Sequence, residues 1–360
     1  MKSKPYNTFW QHIHQTARAK AFPLRVMFEL TYRCNFRCRH CYVPKSYRKK
    51  GELRTKEIFS VLAQLKDIGC FYLGFTGGEP FIRKDILDIL WFAKKKGFEL
   101  IIYTNGSLIN EIIVKELQKL RPNKVDITIP GISKAAFEAV SGVAGSRDKV
   151  FKAINLLYKS GVDLGFKTCV LKENKSEIKE IQNFAASLGS LHRLDDMLSP
   201  RLNGSKEPYK YRGGIRESGY QGVGYRDIRV SRNRVCEFNT KHRTPNPENL
   251  FRCGVGVSQA AITPLGELKM CLMIDYPRYK ILTEARGHKS QVTSHKLNLK
   301  DAWDRLRELA DSIKPDENYK CDICRLEAYC KWCPGRGWLY NRRFTSCDPA
   351  MREWVAGKFA

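Results

Sequence analysis

The 360-residue sequence contains no run of about 18 consecutive apolar residues, so no helix long enough to span a bilayer is expected. Its first twenty residues, MKSKPYNTFWQHIHQTARAK, are basic but lack the apolar stretch of a secretory signal, which points to the cytoplasm. Acidic side chains are scarce: 37 Asp and Glu stand against 64 Lys and Arg, a net charge of +27. The excess is spread along the chain. It favours attraction to acidic substrates or polyanions, nucleic acid among them, and equally suits a solvated surface. With 42% apolar and 28% charged residues the chain reads as a globular protein, long enough for one large domain and a smaller appendage.

What the chain does have is cysteine, thirteen in all, crowded in two places. TYRCNFRCRHCYV (31–43) holds Cys34, Cys38 and Cys41, and CDICRLEAYCKWC (321–333) holds Cys321, Cys324, Cys330 and Cys333. A secreted disulfide framework would need an export signal, which the sequence does not show, so metal ligation is the better explanation. Three thiols in eight residues are one short of the four ligands of a closed metal site. Zinc completed by His40, or a purely structural cluster, would also use these residues.

Elsewhere the hydrophobic pattern alternates between strand and helix. RVMFELT (25–31) reads as a strand, and TKEIFSVLAQLKDIG (55–69) puts Ile58, Val61, Leu62, Leu65 and Ile68 on one helical face, with Thr55 at the cap and Gly69 just past the end. Strands are expected at 70–76, 98–104, 124–129, 162–171 and, weakly, 193–199, with helices near 84–96, 108–120, 146–160 and 176–188. Six βα units predict an α/β fold with a parallel sheet, open or curled into a partial barrel. In such a sheet ligands sit at the carboxyl ends of the strands, where the cysteine triplet, TGGEP (76–80), TNG (104–106) and PG (130–131) all fall.

On these residues the chain resembles the radical S-adenosylmethionine (SAM) enzymes, whose hallmark is Cys-x3-Cys-x2-Cys after the first strand of a partial (β/α)6 TIM-like barrel. The resemblance implies that Cys34, Cys38 and Cys41 hold a 4Fe-4S cluster whose open iron takes the methionyl amine and carboxylate of SAM. His40 stands where an aromatic residue is usual. TGGEP resembles the segment that binds the methionyl amine. Gly77 and Gly78 would let backbone approach the ligand, Glu79 would accept from the ammonium, and Pro80 closes the segment. Thr104 and Asn105 would touch the cofactor, although Thr-Asn-Gly is also an ordinary turn. Thr128 would keep the hydroxyl of a Ser-x-Asp pattern whose carboxylate is replaced by Pro130. Ser141, in the loop-like SGVAGS (141–146), would be a further contact. Lys167 suits a rim charge or a ligand equally.

The last third resembles the SPASM domain, which carries auxiliary clusters. Cys253, twelve residues, Gly266-x4-Cys271, Cys321-x2-Cys324-x5-Cys330-x2-Cys333 and Cys347 supply all seven thiols of that pattern, with x2 in place of x3 before Cys333. The resemblance implies one cluster on Cys321, Cys324, Cys330 and Cys347. A second would sit on Cys253, Cys271 and Cys333, completed by Cys236 or by substrate. A zinc ribbon is the competing use of such pairs. Cys70 and Cys169 read as core residues. The expected layout is an N-terminal extension (1–24), a core barrel (25–202), a linker or mobile loop over the barrel mouth (203–250), the auxiliary-cluster domain (251–350) and a tail (351–360). The implied activity is reductive SAM cleavage and hydrogen abstraction, used to oxidise or crosslink a peptide or protein side chain. Alternatives are dehydrogenation or rearrangement of a small molecule such as a sugar alcohol, or an RNA-binding iron–sulfur protein. A reducing partner such as flavodoxin or ferredoxin is implied, and no membrane.

Overall fold

Alternating burial along the first strand sets the plan of the molecule. In β1 (Arg25–Thr31), Val26, Phe28 and Leu30 are wholly buried against helices, while Met27 and Glu29 face the inner surface of the sheet. Five strands follow in parallel and in sequence order: β2 (Tyr72–Gly77), β3 (Glu99–Thr104), β4 (Lys124–Thr128), β5 (Leu164–Cys169) and β6 (Leu191–Asp195). β1 and β6 are not paired with one another, so the barrel is partial. The coordinates are a computed structural model, which describes residues 13–359 except 14, 18, 197, 214–249, 252, 283–295, 327–329 and 331.

Helices α1 (Thr55–Asp67), α2 (Ile86–Lys95), α3 (Glu111–Leu120), α4 (Lys134–Ser141), α5 (Ser146–Lys159) and α6 (Ile178–Ser187) cover the outer face. Ile58, Val61, Leu62 and Leu65 of α1 are fully buried, and each such side chain contributes about 1.5–3 kcal/mol by leaving water. Thr55 is the first residue of α1 and not its cap: Glu57 reaches back to the Arg54 N–H at 2.9 Å, and the Thr55 hydroxyl donates to Asp85 at 2.6 Å. Gly69 follows the helix at φ +89°.

Three features depart from the expected layout. No helix was expected at α4, which Ser133 caps by accepting from Ala136 N at 3.1 Å, and Ser141 is its last residue, not part of a loop. The sixth strand lies at 191–195, earlier than expected, because His192 pairs with Phe166 and Asp195 with Cys169. The sheet also continues beyond β1 through β7 (Gln259–Ile262), β8 (Glu267–Lys269), β9 (Tyr279–Ile281) and β10 (Lys296–Leu297). β7 lies parallel to β1, so the cysteine-rich region is built onto the barrel's own edge. Helices α7 (Leu299–Ser312), α8 (Pro334–Asn341) and α9 (Pro349–Phe359) follow. Most of the expected 203–250 linker, and Cys236 within it, lies outside the described residues. Its first part, 203–213, carries a short helical turn at Glu207–Tyr211.

Candidate functional site

The end of β2 is fastened to the loop that leaves β1. Gly78 N donates to Thr31 O at 2.7 Å and Glu79 N to Arg33 O at 2.9 Å. The approach requires glycine: a Cβ on Gly77, which holds φ +134°, would lie 2.2 Å from Thr31 O, and one on Gly78 would lie 2.1 Å from Arg33 O. Pro80 then opens a short helical turn, Pro80–Ile82. TGGEP and the approach to Cys34 are thus one interlocked unit.

Glu79 closes that unit from within. Its carboxylate is fully buried and accepts from Thr104 Oγ1 (2.7 Å), Asn105 N (2.7 Å) and Phe81 N (3.1 Å). The sequence assigned this carboxylate to a ligand ammonium; in the structure its partners are the ends of β2 and β3. Burial raises its pKa to about 7 against the opposing pull of those three donors. Thr104 also accepts from Gly106 N at 2.9 Å.

Asn105 carries the connection to the thiols. Its side-chain amide donates to Asn35 Oδ1 at 2.9 Å and lies 3.9 Å from Cys34 Sγ. Its own carbonyl accepts from Ser107 N and Oγ, and Asn35 Nδ2 donates to Ser107 Oγ at 2.8 Å. The cysteine loop is held on its other side by Arg48, whose guanidinium donates to Phe36 O (2.9 Å) and Cys34 O (3.4 Å). Arg37 N donates to Ser141 O at 2.8 Å. Ser141 itself is buried, its hydroxyl 2.8 Å from that of Ser146, so it supports the loop through its carbonyl. Nothing in the sequence marks Asn35, Arg48 or Ser107 for this work, because their partners are backbone carbonyls and distant amides.

All three cysteines are half-buried residues, and their thiols resist ionisation. Burial pushes Cys34 up to about 11 and also raises Cys38 and Cys41; Cys41 further opposes ionisation of Cys34, and Cys41 and Cys34 oppose that of Cys38. Metal would have to displace those protons, the usual coupling at thiolate sites. Burial, aided by Arg201 and Lys167, lowers the His40 pKa to about 4, and its Nδ1 is buried without a hydrogen-bond partner. Cys169 packs against the buried cluster of Val140, Leu171 and Leu198. It ends β5 at the rim, half-buried, near enough to Cys38 to add to the charge that opposes its ionisation. Thr128 and Lys167 pair across β4 and β5, with the Lys167 ammonium 5.0 Å from the centre of the Tyr103 ring.

The C-terminal thiols fall into two neighbourhoods. Cys271 is pushed up to about 12 by burial and then by Cys333 and Cys253. Cys330 is pushed up to about 11 by burial and then by Cys347 and Cys324. Cys321 adjoins the second set in the chain, its backbone carbonyl accepting from Cys324 N at 3.3 Å. Among the described residues no three His, Cys, Asp or Glu side chains converge closely enough for a single ion. The segment 198–213 clasps both regions: Leu202 N donates to Tyr42 O (2.9 Å), Arg201 to Arg39 O (3.0 Å) and Tyr209 to Asp348, beside Cys347, at 2.7 Å. The donor set, thiol-rich and held by a loop whose carbonyls are capped, fits a thiolate-ligated cluster.

Residues 28–185 match the family described as the radical SAM superfamily. The chain is similar to a PqqA peptide cyclase of Granulibacter bethesdensis, 26% identical over 47% of this chain and 45% of that protein. It is similar to the Fe-coproporphyrin III synthase of Methanosarcina barkeri, 30% identical over 43% of this chain and 39% of that one. It thus spans less than half the length of those two relatives. To the Bacillus subtilis subtilosin biosynthesis protein AlbA it is 25% identical over 95% of this chain and 75% of AlbA. The Streptococcus suis SuiB structure bound to its precursor peptide SuiA shares the fold, with a TM-score of 0.61 over 98% of this chain and 82% of SuiB at 17% identity.

Proposed function

From the match of residues 28–185 to the radical SAM superfamily we propose that the chain is a SAM-dependent enzyme that modifies a peptide or protein side chain by oxidation or crosslinking. Cys34, Cys38 and Cys41 would hold the SAM-binding cluster. Cys253, Cys271 and Cys333, and Cys321, Cys324, Cys330 and Cys347, would hold two auxiliary ones. With cluster and SAM bound, the group supplies one-electron cleavage of SAM and a carbon radical that abstracts hydrogen. Gly77 and Gly78 keep the TGGEP backbone against the cysteine loop, and Glu79 fixes the ends of β2 and β3 to each other. Asn105 orients Cys34, while His40, Thr104, Thr128, Pro80 and Ser141 shape the cofactor's surroundings. Lys167 brings a positive charge to the inner face of the sheet.

The observation that carries the peptide reading is the length of the match. AlbA, named for bacteriocin biosynthesis, aligns with 95% of the chain, cysteine-rich region included, whereas the coproporphyrin synthase aligns with 43% of it. The basic balance suits an acidic peptide and an acidic electron carrier such as flavodoxin or ferredoxin. A cytoplasmic site of action agrees with the redox chemistry, and no described helix is long and apolar enough to cross a membrane. The test is co-expression with any short peptide encoded beside its gene, followed by mass spectrometry. Loss of hydrogen from the peptide is expected. An unmodified peptide, with turnover of a small molecule in its place, would overturn the peptide reading.

A further inference from the structure

Glu29 lies on the inner face of β1 with no exposure to solvent, and its carboxylate collects three donors from separate parts of the chain. Tyr42 Oη donates at 2.9 Å and Tyr32 Oη at 3.4 Å. Lys269 Nζ, equally buried on β8, lies 3.1 Å away and also donates to Leu272 O at 3.1 Å. The two tyrosines bracket the cysteine loop: Tyr32 stands two residues before Cys34 and Tyr42 directly after Cys41. Lys269 and Leu272 flank Cys271. One carboxylate therefore ties both ends of the barrel cysteine loop to the turn that bears a C-terminal thiol.

Stability gives no reason for this arrangement, because a buried ion pair costs more desolvation than a well-packed apolar pair in the same space. Geometry does give one. A single carboxylate with directional donors fixes three segments relative to one another, which apolar contacts, being non-directional, do not.

We propose that the Glu29–Lys269 pair, with Tyr32 and Tyr42, is a positioning device that couples the barrel cysteine loop to the Cys271 turn, so that disturbing the C-terminal side alters SAM binding at the barrel. The inference rests on the radical SAM reading. Lys269 bonds to Glu29 and to Leu272 O, neither of which belongs to the triplet or TGGEP, so an effect of its replacement on SAM would pass through Glu29 or the Cys271 turn.

The test is equilibrium dialysis of SAM against the anaerobically reconstituted full chain, with iron content and the electron paramagnetic resonance spectrum recorded on the same samples. Lys269→Met should weaken SAM binding about tenfold and change the SAM-induced shift of the spectrum, while Lys269→Arg restores both. Tyr42→Phe, which removes one hydroxyl and leaves the ion pair intact, should weaken SAM binding in the same direction. Glu29→Gln combined with Lys269→Met should weaken it no more than the worse single variant, as for residues acting as a unit. SAM affinity and spectrum unchanged in Lys269→Met and Tyr42→Phe would overturn the coupling. A parent chain that holds iron but binds no SAM would instead overturn the radical SAM reading.

Discussion

Glu79 titrates near 7 because burial outweighs three hydrogen-bond donors, and this gives it a pH signature. Between about pH 4.5 and 7 the folded chain keeps the proton while the unfolded chain has lost it, so this contribution to stability is present in acid and disappears as pH rises. Its size is on the order of 3 kcal/mol. Relative to Glu79→Gln, the metal-free wild type should lose stability in chemical denaturation between about pH 5 and pH 8; a pH-independent difference would contradict the assignment. Apart from this pH-dependent part, the glutamine turns an amide toward the Asn105 N–H, a mismatch that costs about 1–3 kcal/mol. Gly78→Ala is expected to do more, since its Cβ would meet the Arg33 carbonyl at 2.1 Å and the loop bearing Cys34 would have to shift. Loss of cluster iron on reconstitution is the measurement, and full iron in that variant would refute it. The triplet and TGGEP were legible in the sequence because residue type and spacing are their signal. The partners of Glu79 were not, because Thr104 and Asn105 lie 25 and 26 residues away and reach it only through strand order.

Among the elements, 203–213 was expected to open a linker or mobile loop, yet Tyr209 and Arg212 bond to the C-terminal helix region, and Arg201 and Leu202 just before them bond to the cysteine loop. Tyr209→Phe removes its bond to Asp348, a charge-assisted contact of about 1.5–3 kcal/mol. Proteolysis near α9 should become faster while the barrel digests at its usual rate; identical digestion patterns would show that the clasp is not what holds α9. The six βα repeats were legible because each strand and helix is long enough to show its period. β7–β10 were not, being two to four residues each, too short for alternation to register. α4 escaped for a related reason: its eight residues offer barely two turns of pattern.

At the scale of the whole molecule, ten strands among the described residues share one sheet and make the cysteine-rich region a lateral extension of the barrel, joined through β1 and β7. That joint could not be read from the sequence, because β1 and β7 are separated by more than two hundred residues and are matched only in register, Arg25 with Gln259 and Phe28 with Ile262. If all three thiol groups hold 4Fe-4S clusters, the reconstituted chain carries about twelve irons, and Cys347→Ala lowers this to about eight. About four irons with one or two zincs would mean that the C-terminal thiols serve zinc.

The loop 34–41, on the proposed function, is the seat of SAM chemistry. This is tested most directly by incubating the anaerobically reconstituted full chain with SAM and dithionite and measuring 5'-deoxyadenosine. The wild type should form it, and the variant with Cys34, Cys38 and Cys41 all changed to Ala should form none while retaining its C-terminal iron. Undiminished 5'-deoxyadenosine in the triple variant, or none from a fully iron-loaded wild type, would contradict the account.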